Sequence, residues 1–200
     1  MNIYIDFDGT IFDINKLNKD FINLFKNIDK DYISYLITKH KNYDIVANIL
    51  IKEFNLNTNI INEVNNLYQN NYTYPDAITF LEKYYKKYNL ILLTYTKSLD
   101  YQKKKIKSAK INKYFKDIII TTIDKSKLNI NYINNIFIDN NPKELKKLID
   151  INAKYIIRIN HKNDHYNEIK LDVETIPEYK DFIELINNKH LEKIGENNNE

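Results

Sequence analysis

Asn2-Ile3-Tyr4-Ile5-Asp6-Phe7-Asp8-Gly9-Thr10 is the most informative run in the chain. Its β-branched and aromatic residues read as a strand, and the acids and glycine that follow end it abruptly. Gly9 stands out because glycine is so scarce: in 200 residues it occurs only here and at Gly195. A chain that avoids glycine elsewhere keeps one where φ must be positive or where the backbone approaches something closely.

Further apolar runs follow at Leu90-Ile91-Leu92-Leu93-Thr94, Asp117 to Thr122, Ile136-Phe137-Ile138 and Tyr155 to Ile159. They are continuous, as in strands buried on both faces of a parallel sheet. Helices lie between them. Pro75 opens one with Ala77, Phe80, Leu81, Tyr84 and Tyr88 on one face, and a lysine-rich helix runs from about Leu99 to Ala109. Pro142 opens another, and a last helix is expected from Tyr179 to about Leu191. From Ile14 to Asn71 the spacing is helical throughout, with Leu17, Phe21, Leu24 and Ile28, then Ile45, Ile49 and Phe54, then Ile60, Val64 and Leu67. The expectation is an α/β fold: a Rossmann-like three-layer core with a parallel sheet (residues 1–13 and 72–194) plus a small all-helical insertion (14–71). Residues 195–200, Gly-Glu-Asn-Asn-Asn-Glu, read as a disordered tail.

Composition narrows the chemistry. Apolar residues are 43%, enough for a core, and cysteine is absent, which excludes disulfides, thiol nucleophiles and cysteine metal sites. Lys plus Arg is 30 against 27 acids, so charge gives no reason to expect nucleic acid. All the basic residues are lysines except Arg158, and there are 32 Asn and 35 Ile, a pattern of coding bias that devalues lysine and asparagine clusters as signals. No apolar run has the length of a membrane span, and no leader pattern opens the chain, so a soluble cytoplasmic protein is the expectation.

In an open parallel sheet, ligands bind at the carboxyl ends of the strands where strand order reverses. Asp6 and Asp8 close the first strand, Thr94 the second and Asp139 the fourth. Adjacent strands lie about 4.8 Å apart, so Asp6 and Asp139 could share one ion. Mg²⁺ suits such an oxygen site, because it keeps waters that a phosphate can replace. The alternative for these acids, and for Thr94, is ordinary helix capping.

Asp6-Phe7-Asp8-Gly9-Thr10 after an apolar strand resembles the first signature of the haloacid dehalogenase-like (HAD) hydrolases. Later signatures are similar and in order: Leu90 to Thr94, then Lys125 in Asp124-Lys125-Ser126-Lys127, then Ile136-Phe137-Ile138-Asp139-Asn140-Asn141-Pro142. Tyr74-Pro75-Asp76 is similar to the family's return from a helical type-1 cap, where residues 14–71 lie.

The resemblance implies roles. Asp6 would be the nucleophile that forms an aspartyl-phosphate, and Asp8 the acid and then the base. An acid at that second position argues for a hydrolase. Gly9 and Thr10 would form the turn at the phosphate, Thr94 would bind a phosphoryl oxygen, and Lys125 would stabilise charge on the transferring group. Lys127 is the alternative lysine. The metal set would be Asp6, the Asp8 carbonyl, Asp139 and the residue after it. That residue is Asn140 where the family commonly has a second acid, so weaker Mg²⁺ binding is expected unless Glu144 substitutes.

The function implied is a Mg²⁺-dependent phosphatase for a small phosphomonoester such as a nucleotide or sugar phosphate, since a cap would obstruct a folded protein or duplex. The alternatives are a phosphotransferase or mutase with the same nucleophile, and a catalytically weak binding or regulatory protein. Tyr32, Tyr35, Asn42 and Tyr43 in the cap could line a pocket, though packing is the favoured reading. Lys103, Lys104, Lys105, Lys107 and Lys110 read as a solvated helix face. His161, Asp164 and His165 read as a solvated loop rather than a zinc pair.

Overall fold

A computed structural model describes residues 1–170 and 176–196. The strands are β1 (Asn2–Ile5), β2 (Asn89–Tyr95), β3 (Asp117–Thr121), β4 (Ile136–Asp139), β5 (Tyr155–Ile159) and β6 (Glu178–Tyr179). They form one parallel sheet in the order β3-β2-β1-β4-β5-β6. Order reverses between β1 and β4, the position that opens a crevice at the carboxyl ends. Ile5 is in register with Leu92 on one side and Ile138 on the other, so β1, β2 and β4 end close together.

Between β1 and β2 lie α1 (Ile14–Asn23), α2 (Lys30–His40), α3 (Tyr43–Phe54) and α4 (Ile60–Leu67), followed by α5 (Pro75–Tyr84). Asp13, Asp29 and Asn42 accept hydrogen bonds from free amides at the starts of α1, α2 and α3. Leu17, Phe21, Ile33, Leu36, Val46, Leu50, Val64 and Leu67 face inward. They form one apolar cluster continuous with Ile3 and Ile5 of the sheet.

That sheet face also carries α5, α6 (Leu99–Ala109), α8 (Phe182–Asn187) and α9 (His190–Glu196). The opposite face is covered by α7 (Pro142–Asp150), with Leu145 and Leu148 against Tyr4, Leu93 and Phe137. Pro75 and Pro142 begin their helices, where a missing N–H costs nothing.

Two expectations need correction. The final helix does not start at Tyr179. Residues 178–179 join the sheet as β6, and the Asp181 side chain caps α8, accepting from the Glu184 amide at 2.7 Å. Lys189 at φ 52° then separates α8 from α9. Nor does the tail begin at 195: Gly195 and Glu196 belong to α9, whose Leu191 and Ile194 are buried in the core. Residues 197–200 lie outside the described residues. Among the described residues, no helix is long and apolar enough to cross a membrane.

Candidate active site

Asp6 follows β1, and its amide donates to the Ile138 carbonyl at 2.9 Å, which locks the turn to β4. Its carboxylate meets the Lys125 ammonium at 2.5 Å, and the same ammonium reaches Asp139 at 2.8 Å. Lys125 arrives there from a single helical turn, Lys125–Lys127. Asp124 caps that turn by accepting from the Ser126 amide and hydroxyl, and Tyr132 Oη donates to the Lys125 carbonyl at 2.6 Å. Lys127 points outward and is exposed. Burial pushes the Asp6 carboxyl up to about 7; Lys125 opposes that rise, and the charges of Asp139 and Asp8 add to it. For Lys125 burial acts downward, but the two carboxylates prevail and hold its ammonium above the ordinary range.

Asp8 is held from the other side. Both its oxygens accept from the Lys105 ammonium at 2.6 Å, and one also accepts from Gln102 Nε2 at 3.0 Å. Gln102 Nε2 also donates to Thr94 Oγ1 at 2.9 Å, so one amide joins Thr94 to Asp8. Thr94 does not cap α6; Ser98 occupies that position. Lys105 overturns the reading of α6 as a wholly solvated face, being only 3% exposed. Its spacing explains this: Tyr101, Gln102, Lys105, Ile106 and Ala109 fall on the one buried stripe of the helix. Burial lowers its pKa, and Asp8 resists the shift.

Gly9 has φ +85°, and a Cβ there would lie 2.1 Å from Asn140 Nδ2 and 2.6 Å from Asp164 Oδ2. Both reasons for keeping a glycine therefore operate at once. Asn140 is turned toward this turn: its Oδ1 accepts from Thr10 Oγ1 at 3.2 Å, and its Nδ2 donates to Asp164. Its amide oxygen is thus engaged by Thr10, although the side chain still lines the cavity. Gly9 and Thr10 do not line the cavity beside Asp6, contrary to their expected place among phosphate-binding residues; Thr10 is fully buried behind Asn140. The loop after β5 is not simply solvated either. His161 and Asp164 are buried, and His161 Nε2 lies 3.1 Å from the Thr10 carbonyl. Arg158 holds this loop, donating to the Tyr166 carbonyl at 2.7 Å and the Ile169 carbonyl at 2.8 Å while pairing with Glu178. The one arginine among the basic residues is fully buried here.

Asp6, Asp8, Thr94, Lys105, Lys125 and Asp139 share a cavity of about 550 Å³ between the sheet edge and the helical insertion. Ile14, Asn15, Asn18, Ile37, Thr38 and Lys41 supply the insertion's wall. Tyr32, Tyr35, Asn42 and Tyr43 do not line it. Tyr43 is buried against Phe21 and Tyr101, and Asn42 caps α3 and reaches Ser98 at 2.9 Å. Glu144 lies at the cavity edge, paired with Lys147 at 2.7 Å.

Among the described residues, no three His, Cys, Asp or Glu side chains gather closely enough to hold a metal. Two carboxylates do converge, however. Asp6 and Asp139 contact one ammonium, so a single small cation can span both. Carboxylate donors completed by main-chain oxygen and water are the set that Mg²⁺ accepts, and the residues present fit it.

No family model and no curated protein matches this sequence. Solved structures do. A HAD phosphatase from Thermococcus onnurineus is 20% identical over 94% of this chain and 97% of its own, with a TM-score of 0.59. A HAD hydrolase from Bacillus subtilis, described as bound to magnesium, is 15% identical over 94% and 98%, with a TM-score of 0.61. The L-2-haloacid dehalogenase from Xanthobacter autotrophicus, with chloropropionic acid covalently bound, is 12% identical over 83% and 79%, with a TM-score of 0.56. At such identities the likeness is one of fold, and the chain has the fold of the HAD hydrolases.

Proposed function

We propose that this chain, folded as a HAD hydrolase, is a Mg²⁺-dependent phosphatase acting on a small phosphomonoester through an aspartyl-phosphate on Asp6. The observation that carries the reading is the convergence of Asp6 and Asp139 on Lys125, with Asp8 and Thr94 in the same cavity.

Asp6 attacks phosphorus through a carboxylate oxygen. The new P–O bond forms as the bond to the leaving oxygen breaks, and that oxygen takes a proton from the Asp8 carboxyl. Asp8, now a carboxylate, then accepts a proton from water as the water attacks phosphorus. The bond to Asp6 breaks, inorganic phosphate leaves and both side chains are restored. Lys125 neutralises charge on Asp6 and on the transferring group, and Thr94 Oγ1 donates to a phosphoryl oxygen. Mg²⁺, held by Asp6, Asp139 and the Asp8 carbonyl, would shield negative charge so that a carboxylate can approach an anion. Both Asp8 oxygens accept from Lys105 in the ligand-free arrangement, so donation to a leaving group requires one of them to be released. Lys105 and Gln102 are positioning residues that hold Asp8 beside Thr94.

Asp8 also favours phosphate ester cleavage over dehalogenation on this fold. A departing halide takes no proton, so an acid beside the nucleophile has no work there, whereas an alkoxide needs one. The test is release of phosphate from p-nitrophenyl phosphate with Mg²⁺ by the purified protein. Release that disappears with Asp6→Asn supports the mechanism; release that survives the substitution overturns it.

A further inference from the structure

The cavity is much larger than a phosphoryl group requires, and its charges are unevenly satisfied. Four acids line it. Asp6 and Asp139 share Lys125, Asp8 holds Lys105, and Glu144 holds Lys147. Two lining lysines remain, Lys41 at the end of α2 and Lys97 in the loop after β2. Among the described residues neither has an ion-pair partner, and the insertion contributes no acid to the wall.

Many exposed lysines, Lys103 and Lys127 among them, also lack an ion-pair partner among the described residues, so what sets Lys41 and Lys97 apart is their place in the cavity wall; four other lysines outside that lining are paired. Lys104 pairs with Asp44, Lys147 with Asp124, and Lys83 and Lys87 with Glu192. Lys41 is held by its own backbone, which donates to the Ile37 carbonyl at 2.8 Å in the left-handed conformation that ends α2. From there its charge is felt at two cationic neighbours across the cavity. It adds to the effect of burial in lowering His165, and it acts in the same direction on Lys105. Ammonium groups without acid partners leave positive potential on the part of the cavity wall that Lys41 and Lys97 supply.

We infer that the substrate carries two separate anionic groups. Its phosphoryl group faces Asp6, and a second anionic group, a carboxylate or another phosphate, meets Lys41 of the insertion and Lys97 of the loop after β2. This rests on the phosphatase reading for the first group only; the second subsite is a binding claim and is measured as one.

Matched pairs isolate the second charge: phosphoglycerate against glycerol phosphate, phosphogluconate against glucitol phosphate, and fructose bisphosphate against fructose monophosphate. The first two pairs test a carboxylate at two lengths, the third a phosphate. Calorimetry on Asp6→Asn protein in Mg²⁺ buffer, where no ligand is turned over, should show the member with the second anionic group bound about tenfold more tightly in at least one pair. Lys41→Met with Lys97→Met should reduce that ratio to about one, and Lys41→Glu should reverse it. Equal binding in all three pairs overturns the inference, and so does a preference that persists in the double variant. The two side chains are exposed, so the variants should fold, and circular dichroism checks this. The activity of the unaltered protein on p-nitrophenyl phosphate is read separately. Its absence overturns the phosphatase reading and leaves the calorimetric result to decide the subsite.

Discussion

On the sheet-edge wall of the cavity each carboxylate meets an ammonium within 2.8 Å, and Asp6, Asp139, Lys105 and Lys125 are buried or nearly so. On the opposite wall Thr38 and Lys41 are exposed, and Lys41 has no such partner among the described residues. The first wall is built from strand ends whose register is fixed by the sheet, so its dipoles are oriented before any ligand arrives. The second wall is built from the ends of α1 and α2. Under the proposed function chemistry lies on the first side, and the proposed second subsite places substrate selection partly on the other.

The strongest way to break this division is at the nucleophile. Asp6→Asn should lower phosphate release by at least about a thousandfold, because the amide cannot act as the nucleophile that the proposed intermediate needs. Lys125→Met should act on the fold as well. It leaves Asp6 and Asp139 buried together without a shared cation, and unfolding free energy in urea should fall by about 3–5 kcal/mol. Mg²⁺ should recover part of that loss, and more of it than it adds to the unaltered protein.

Lys105 sharpens the comparison because its effect should depend on the leaving group. Lys105→Met frees Asp8 from its position, so hydrolysis of an alkyl phosphate should slow by about a hundredfold. Hydrolysis of p-nitrophenyl phosphate, whose leaving group departs without a proton, should change by about threefold or less. Equal losses on both substrates would contradict a role through Asp8. Gly9→Ala should destabilise by about 2 kcal/mol, combining a strained positive φ with a clash at Asn140. Asn140→Ala in the same chain should relieve the part due to the clash.

How much of this was legible follows the same division. Strands announce themselves locally through runs such as Leu90 to Thr94, and once the sheet is inferred its ends follow, so Asp6, Thr94 and Asp139 could be placed together. The lone interior glycine pointed to a backbone constraint for the same local reason. Lys105 was hidden among lysines of the same helix, although its spacing from Tyr101 and Ala109 places it on the buried stripe. The loop bearing His161 and Asp164 had no signal of its own, because its burial depends on Arg158 and on contacts to Thr10 and Asn140 far away in the chain. Arg158 itself was the available hint: one arginine in a lysine-biased chain suggests a site that needs several fixed donors. The cavity's second wall depends on how helices pack, which periodicity alone does not specify.

The smallest expected effect lies on the outer side of the turn that presents Lys125. Asp124 pairs there with Lys147 at 2.6 Å, and the lysine side chain is 42% exposed. Burial, the largest single influence, opposes ionisation of Asp124, but the hydrogen bonds from Lys147 and Ser126 together with the Lys147 charge outweigh it and hold the carboxyl below its ordinary value. Because the folded-state value is the lower one, the contribution is present in full above the unfolded aspartate value of about 3.9 and fades as pH falls through the folded value. Solvent screening limits it to a few tenths of a kcal/mol, and Lys147 keeps Glu144 as a partner when Asp124 is replaced. Asp124→Asn should therefore shift the urea midpoint only slightly at neutral pH, and the shift should close in acid. A shift as large as that of Lys125→Met would mean that the outer pair, and not the buried one, holds the turn in place.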